Sequence, residues 1–336
     1  MTPPWVRIVI VAYNSGDWLA RTVAALAVQT NPEFQVMIVD NASTDGAVDR
    51  LDLPDARFQM IRLPRNIGFA AASNRGAQGA RTPWLAMLNP DAIPAPGWLA
   101  ALKAATIRHK TASFFGSTQM MADDPDLADG LGDVYSIYGL AWRGGYGQRL
   151  PAGLTDAEVF SPCAAAALYE RQAFQAAGGF SESFFCYLED VDLAFRLRLM
   201  GHRAVQAADA VVFHKGSAST GRDSPFTLFH SSRNGMWLLV RCMPMPLLVL
   251  ALPLYVAAQS ALAARFRGGR ARLHGLIAGV KGIGTAWNDR ARIQSSRRLG
   301  WRQVAHLMVW NPRHVLARRI VHDGHPLSPS GKGQAP

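Results

Sequence analysis

Apolar and polar positions alternate in blocks along the first third of the chain. The β-branched run VRIVIVAYN, Val6–Asn14, ends sharply at polar residues and predicts a buried strand. Behind it, SGDWLARTVAALAVQT sets Trp18, Leu19, Val23, Leu26 and Ala27 at helical spacing, with Ser15 or Asn14 as the expected cap. Phe34–Asp40 predicts a second strand and NASTDGAVDRL the opening of a second helix. RFQMIRL predicts a third strand, the Ala-rich NIGFAAASNRGAQGA another helix, and PWLAMLNPD a fourth strand. Strand–helix alternation at this spacing predicts an α/β fold with a parallel, doubly wound sheet. Such sheets hold ligands beyond the carboxyl ends of their strands. Asn14, Asp40 and Asp91 all stand at predicted strand ends and are expected to share one crevice.

Beyond Lys103 the rhythm changes. TASFFGSTQMM and VFSPCAAAALYER predict strands, separated by a Gly-, Asp- and Tyr-rich stretch, Asp123–Leu154, that reads as a long functional loop. LEDVDLAFRLRLMGH predicts a helix with acids in its first turn and bases later, which suits the helix dipole. RAVQAADAVVFHKGS predicts one or two short strands ending at His214. FHSSRNGMWLLVRCMP then predicts an amphipathic helix. Pro244–Ala264 is a stretch of 21 residues without a charge, long enough to cross a bilayer but interrupted by prolines. Arg265, Arg267, Arg270 and Arg272 follow it, so the segment is expected either to span or to lie in an anionic interface.

Charge sharpens that division. The 336 residues carry a net +11, yet from Ser231 onward 16 Lys and Arg face 2 acids, leaving 19 bases against 22 acids before it. The excess positive charge therefore belongs to the C-terminal third and points to an anionic partner. Its arginines are interleaved with Leu, Val, Trp and Pro and match no nucleic-acid module, so a membrane surface is the expected partner and nucleic acid is not. Three cysteines without ligand spacing fit a reducing compartment. The N-terminus does not read as a signal peptide, which places the working part in the cytoplasm. The tail 326–336 reads as disordered.

The chemistry-bearing residues are individually modest. Asp40 opens DNASTDG, where a carboxylate could bind a base N–H or a ribose hydroxyl, although the stretch is equally rich in turn and cap formers. Asp91 taken alone is a turn carboxylate, and His214 after an apolar strand is ordinarily structural. Asn66, Gly68 and Asn74 of NIGFAAASN could reach the same rim, with helix capping and close packing by Gly68 as the plainer reading. Glu189, Asp190 and Asp192 crowd three carboxylates into four residues among apolar neighbours, a costly arrangement unless a metal, a substrate or a cation such as Arg196 offsets it. No G-x-G-x-x-G turn follows the first strand, which argues against a dinucleotide-binding dehydrogenase.

Taken in order, IVIVAYNSGDWL, VMIVDNASTDG, RNIGFAAASNRGA, WLAMLNPDAIPAPGWL and GGFSESFFCYLEDVDLAFRLRLMGH…HKGSAS resemble glycosyltransferase family 2, and within it the bacterial rhamnosyltransferase-like branch, over roughly Val6–Arg241. The resemblance implies a GT-A fold whose mostly parallel sheet is flanked by helices. It implies a catalytic domain over 1–225, with a nucleotide-sugar half to about 110 and an acceptor half from 111; the composition beyond it gives a basic, apolar helical, membrane-associated region over 226–325. It also implies an inverting, metal-dependent transfer from a nucleotide sugar, with dTDP-rhamnose the first guess, to a polyprenyl-diphosphate-linked or glycan acceptor. Cell-surface glycan synthesis on the cytoplasmic face of a bacterial inner membrane is the implied setting, peripheral or single-span. By the resemblance, Ala12, Tyr13 and Asp40 hold the donor nucleoside, and Asn14, Asn41, Asn66, Gly68, Asn74 and Asn89 belong to the donor pocket. Asp190 is the implied base, with Glu189 beside it. Asp91 and His214 are the implied ligands of Mg²⁺ or Mn²⁺, while Asn89 departs from the family's acidic first position. One carboxylate and one imidazole can serve where diphosphate oxygens and water complete the shell. That requires Asp91 and His214 to lie within roughly 5 Å of each other. A non-catalytic, membrane-associated sugar-nucleotide binder is the alternative that the departure at Asn89 motivates, and the joint presence of Glu189, Asp190 and His214 weighs against it.

Overall fold

A computed structural model describes residues 4–216 and 224–326. The expected tail lies outside these residues from 327 onward. The strands are β1 (Val6–Ala12), β2 (Phe34–Asp40), β3 (Phe58–Arg62), β4 (Trp84–Leu88), β5 (Ala92–Pro94), β6 (Ala112–Met121), β7 (Ala128–Gly130), β8 (Asp133–Tyr135), β9 (Ala141–Arg143), β10 (Ala157–Val159), β11 (Ala166–Glu170) and β12 (Arg203–His214). The main helices are α1 (Trp18–Ala27), α2 (Phe69–Ala77), α3 (Trp98–Arg108), α4 (Arg171–Ala176), α5 (Glu189–Leu199), α6 (Pro225–Cys242), α7 (Met245–Arg265), α8 (Gly269–Lys281) and α9 (Ile283–Ser295).

The central sheet runs β10-β12-β6-β11-β4-β1-β2-β3. β1, β2, β3 and β4 pair in parallel; β1, β2 and β4 are largely apolar and buried, as strands covered on both faces must be, while β3 is the half-exposed edge. β11 is antiparallel to both β4 and β6, so the sheet is mixed rather than wholly parallel. One apolar core lies under α1 and α3, and a second lies between the sheet and α2, α4 and α5. A third joins α5, α6, α7 and α9 to the segment around Tyr135 and Phe160.

Three local expectations are corrected. NASTDG forms turns, not a helix, because side chains capture its backbone N–H groups: Asp40 accepts from Ser43 N, Asn14 from Thr44 N, and Asp45 from Ala47 N. Neither Ser15 nor Asn14 caps α1, whose N-cap is Asp17, with no capping side-chain bond. The stretch 123–154 is not a plain loop but carries β7, β8 and β9.

Candidate active site

The edge of the sheet assembles the first cluster. β12 is parallel to β6, with His214 opposite Met121, and antiparallel to β5, with His214 opposite Ala92. That register sets His214 beside Asp91, its Nε2 lying 3.3 Å from Asp91 Oδ1. β7 folds back on the end of β6 and brings Asp129, whose Oδ2 lies 2.7 Å from His214 Nδ1. Asn89 Nδ2 lies 3.2 Å from His214 Nε2. With the ring neutral, Nδ1–H donates to Asp129 and the Nε2 lone pair faces Asn89 and Asp91. Burial opposes the charged imidazole, yet the bonds to Asp129 and Asp91 outweigh it and raise the His214 pKa. Burial likewise works against the Asp91 carboxylate, and the His214 contact more than offsets it, so that pKa is lowered. A lone pair and a carboxylate oxygen at 3.3 Å can share a positive species between them, a proton or a metal ion. The Asp129 contact is the orienting bond that metal-binding imidazoles use. The donor set therefore fits a divalent cation.

The second cluster lies at the start of α5. Asp190 Oδ2 accepts from Ala164 N at 3.0 Å and Oδ1 from Val191 N at 2.8 Å. Burial raises its pKa against these two bonds and against Arg143. Glu189 is buried, and its pKa is pushed well up, first by burial and then by the Asp190 charge. Asp192 turns away and pairs with Arg196 at 2.8 Å, so the expected Arg196 partner does not serve Asp190. The cation among these acids is Arg143 of β9, which bonds Asp129 and feels the charges of Asp133 and Asp190. Asp133, Cys163 and Asp190 also bring ligand atoms within 4.8 Å of one another. There burial holds the Cys163 thiol protonated and Arg143 already supplies positive charge, so this trio is less suited to an ion than Asp91 and His214.

A cavity of about 370 Å³ unites the two clusters. Tyr13, Asn66, Gly68, Asn89, Asp91, Glu189, Asp190 and His214 all line it. Ala12, Asn14, Asp40 and Asn41 cluster at the ends of β1 and β2 without lining it. Asn41 reaches the wall indirectly, donating to Asn66 Oδ1 at 2.9 Å and accepting from Ile67 N at 2.9 Å. Asn74 is not brought to the cavity, because its amide clamps Phe180 N, Phe180 O and Glu182. Gly68, at φ 85°, is needed by the loop rather than the sheet, since a Cβ there would meet Phe185 at 2.6 Å. The glycine that lets α2 approach the sheet is Gly76, where a Cβ would strike Val9.

Residues without a clear sequence signal complete the walls. Asp133, Trp142, Arg143, Cys163, Phe185, Tyr187 and Phe226 line the same cavity. The loop before α5 holds Phe185, Tyr187 and Leu188 at φ 64°, 71° and 65°, a concentration of strain typical of working sites. Asn234 of α6, fully buried, fastens it by donating to Phe184 O, Cys186 O and Tyr187 O at 3.0, 2.9 and 2.7 Å. Only the Gly-, Asp- and Tyr-rich composition of 123–154 hinted at the wall that Asp129, Asp133 and Arg143 build.

Comparison with known proteins bears on this geometry. The family model "Glycosyl transferase family 2" matches residues 7–178, just over half the chain. An N-acetylglucosaminyl-diphospho-decaprenol L-rhamnosyltransferase of Mycobacterium tuberculosis is 31% identical over 246 residues, covering 64% of this chain and 78% of that one. Among solved structures, a mannosyltransferase from Pyrobaculum calidifontis in complex with GDP-Man and Mn²⁺ aligns with TM-score 0.53 at 18% identity, over 88% of this chain and 86% of that one. GalNAc-T7 with UDP, GalNAc and Mn²⁺ aligns with TM-score 0.61 at 15% identity, over 88% and 56%. The fold is GT-A.

Proposed function

The chain belongs to glycosyltransferase family 2, and on that premise we propose that it moves a sugar, with inversion, from a nucleoside-diphosphate sugar to a lipid-linked acceptor in cell-surface glycan synthesis. Rhamnose is the preferred sugar, supported by the name of the mycobacterial relative, with dTDP-rhamnose as the donor to test first. The observation that carries the reading is the convergence of Asp190, Asp91 and His214 on one cavity.

In this reading the nucleoside lies over the ends of β1 and β2, against Tyr13, Asn66 and the Asn41–Asn66 bond. Asp91 and His214 would hold the divalent cation, which when bound neutralises charge on the departing diphosphate. Asp190 takes the proton of the acceptor hydroxyl as its oxygen bonds to the anomeric carbon. The carbon–oxygen bond to the diphosphate breaks on the opposite face, so a single displacement inverts the centre. Arg143 offsets part of the repulsion among the acids around Asp190. Residues 1–225 form the catalytic region, and 226–325 place it at the cytoplasmic face of a membrane where a polyprenyl-linked acceptor resides.

The test is a panel of nucleotide sugars read by release of nucleoside diphosphate, with membrane extract as acceptor and with or without Mn²⁺. Release from one donor, abolished by EDTA, is expected. In Asp91→Ala, donor affinity should fall and lose its dependence on the metal. Donor binding indifferent to both EDTA and this substitution would remove the metal site from the reading.

A further inference from the structure

Among the described residues α7 is the one helix long and apolar enough to cross a membrane, yet its packing is that of a helix lying on the protein. Leu247, Leu248, Ala251, Tyr255 and Gln259 form a buried stripe. It covers about 18 Å of helix at roughly 1.5 Å per residue. Tyr255 OH donates to Ser232 O of α6 at 2.6 Å, and Gln259 accepts from Arg272 of α8. A spanning helix would surround this stripe with lipid over more than half of a hydrocarbon core about 30 Å thick.

The opposite face of α7 is different. Met245, Val249, Leu250 and Val256 are exposed, Val249 by 70%, and no residue from 245 to 264 is charged. Water-facing helix surfaces ordinarily carry charge. α8 packs beside α7 and rests on α6 through Gly275 and Gly279, where a Cβ would strike Phe229 O and Met236. Leu273, Ile277 and Val280, all exposed, recur at i, i+4 and i+7 on the side of α8 opposite those glycines. Both helices thus turn an apolar stripe away from α6. The turn between them and the helix ends it joins present Arg265, Phe266, Arg267 and Arg270, all exposed. Gly268 in that turn lies close enough to Leu228, two residues from Phe226 in the cavity wall, that a Cβ would strike it.

We propose that the outer face of the α7–α8 hairpin docks in the plane of an anionic phospholipid surface, with the Arg265–Arg270 turn against headgroup phosphates and α7 lying along the interface rather than across the bilayer. An apolar helix face bordered by arginines and an aromatic ring has the chemistry of an interfacial helix. The turn then sets the cavity mouth at headgroup height. This deepens the lipid-linked-acceptor reading above, but its test uses neither donor nor acceptor, so the two fail separately.

The experiment is flotation of the full chain with phosphatidylcholine vesicles, with or without phosphatidylglycerol. Binding is expected only with the anionic lipid, to weaken with salt, and to be reversed by alkaline carbonate. The triple substitution Arg265→Glu, Arg267→Glu, Arg270→Glu should weaken binding roughly a hundredfold. Val249→Asp with Ile277→Asp should abolish it while the melting temperature stays near wild type. In the wild-type background, dye-labelled Val249→Cys and Ala261→Cys should both shift to an apolar environment on vesicle addition. Equal binding to neutral and anionic vesicles overturns the proposal. So does resistance to carbonate with these two positions labelled from opposite sides, which is a span. A dimer in solution that Val249→Asp dissociates, without vesicle binding, assigns the face to a second copy instead.

Discussion

Asp190 and Glu189 are chain neighbours with different surroundings, and the difference separates the roles proposed for them. Asp190 faces the cavity and takes two backbone N–H bonds that fix its carboxylate, while burial raises its pKa. A base must be ionised, so transfer should fall as pH drops through a value above the ordinary aspartate range. Asp190→Asn should lower kcat by roughly 100-fold or more and abolish that acid limb, with donor binding retained. Near-normal turnover in this variant, measured by nucleoside diphosphate release, would remove Asp190 from the base position. Glu189 Oε2, by contrast, has no hydrogen-bond partner among the described residues. Its folded pKa is raised, so folding takes up a proton between the ordinary glutamate value and the folded one. That contribution is full at acid pH and is lost as pH rises through the folded value. Glu189→Gln should therefore gain a few degrees of melting temperature at mildly alkaline pH, about 2–4 °C per kcal/mol, and little at acid pH. A gain that is equal at both would reject this account. The sequence made the carboxylate crowding visible, but it pointed to Arg196 as the compensating charge, and only the folded chain shows Arg143 there.

Among the elements, the loop before α5 is the one most dependent on a distant partner. It holds three non-glycine residues at positive φ, and Asn234, nearly 50 residues downstream, clamps the carbonyls of Phe184, Cys186 and Tyr187 around them, with Arg233 also donating to Phe184 O. The same loop receives Ala70 N on Phe185 O, which ties the start of α2 to the start of α5. Asn234→Ala leaves three carbonyls without that donor, and relaxation of the loop should cost on the order of 100-fold in kcat through misplacement of Asp190. Wild-type kcat in this variant would show that the loop is held by its other contacts. Strands and long helices were legible because their apolar spacing is local: Phe34–Asp40 is predicted and found with the same limits, and α5 begins at Glu189 as its acids suggested. DNASTDG was misread because its polar side chains satisfy backbone groups within the turn, a competition that residue spacing does not display.

At the scale of the whole molecule, the C-terminal helices are part of what holds the start of α5, where Asp190 is the proposed base. The third core joins Val191, Phe195 and Leu199 of α5 to Met236 and Leu239 of α6, Leu247, Leu248 and Tyr255 of α7, and Ile293 of α9. Arg241 ties the same helices electrostatically, lying 3.6 Å from Asp192 and 3.5 Å from Asp289. A chain ended after Cys242 should lose cooperative melting by circular dichroism and lose transfer with it; a soluble, cooperatively melting and active truncation would show α7–α9 to be dispensable to the core. The sequence by itself determined the strand–helix order, the carboxylates at the strand and helix ends, and the basic, apolar character of the C-terminal third, because each is written in neighbouring residues. The tertiary structure alone decided that Asp129 orients His214 across 85 residues, that Arg143 partly balances the acids, and that α7 packs one face on the body. Those outcomes depend on strand register and on which helix face finds a partner, and neither is encoded in any short stretch of chain.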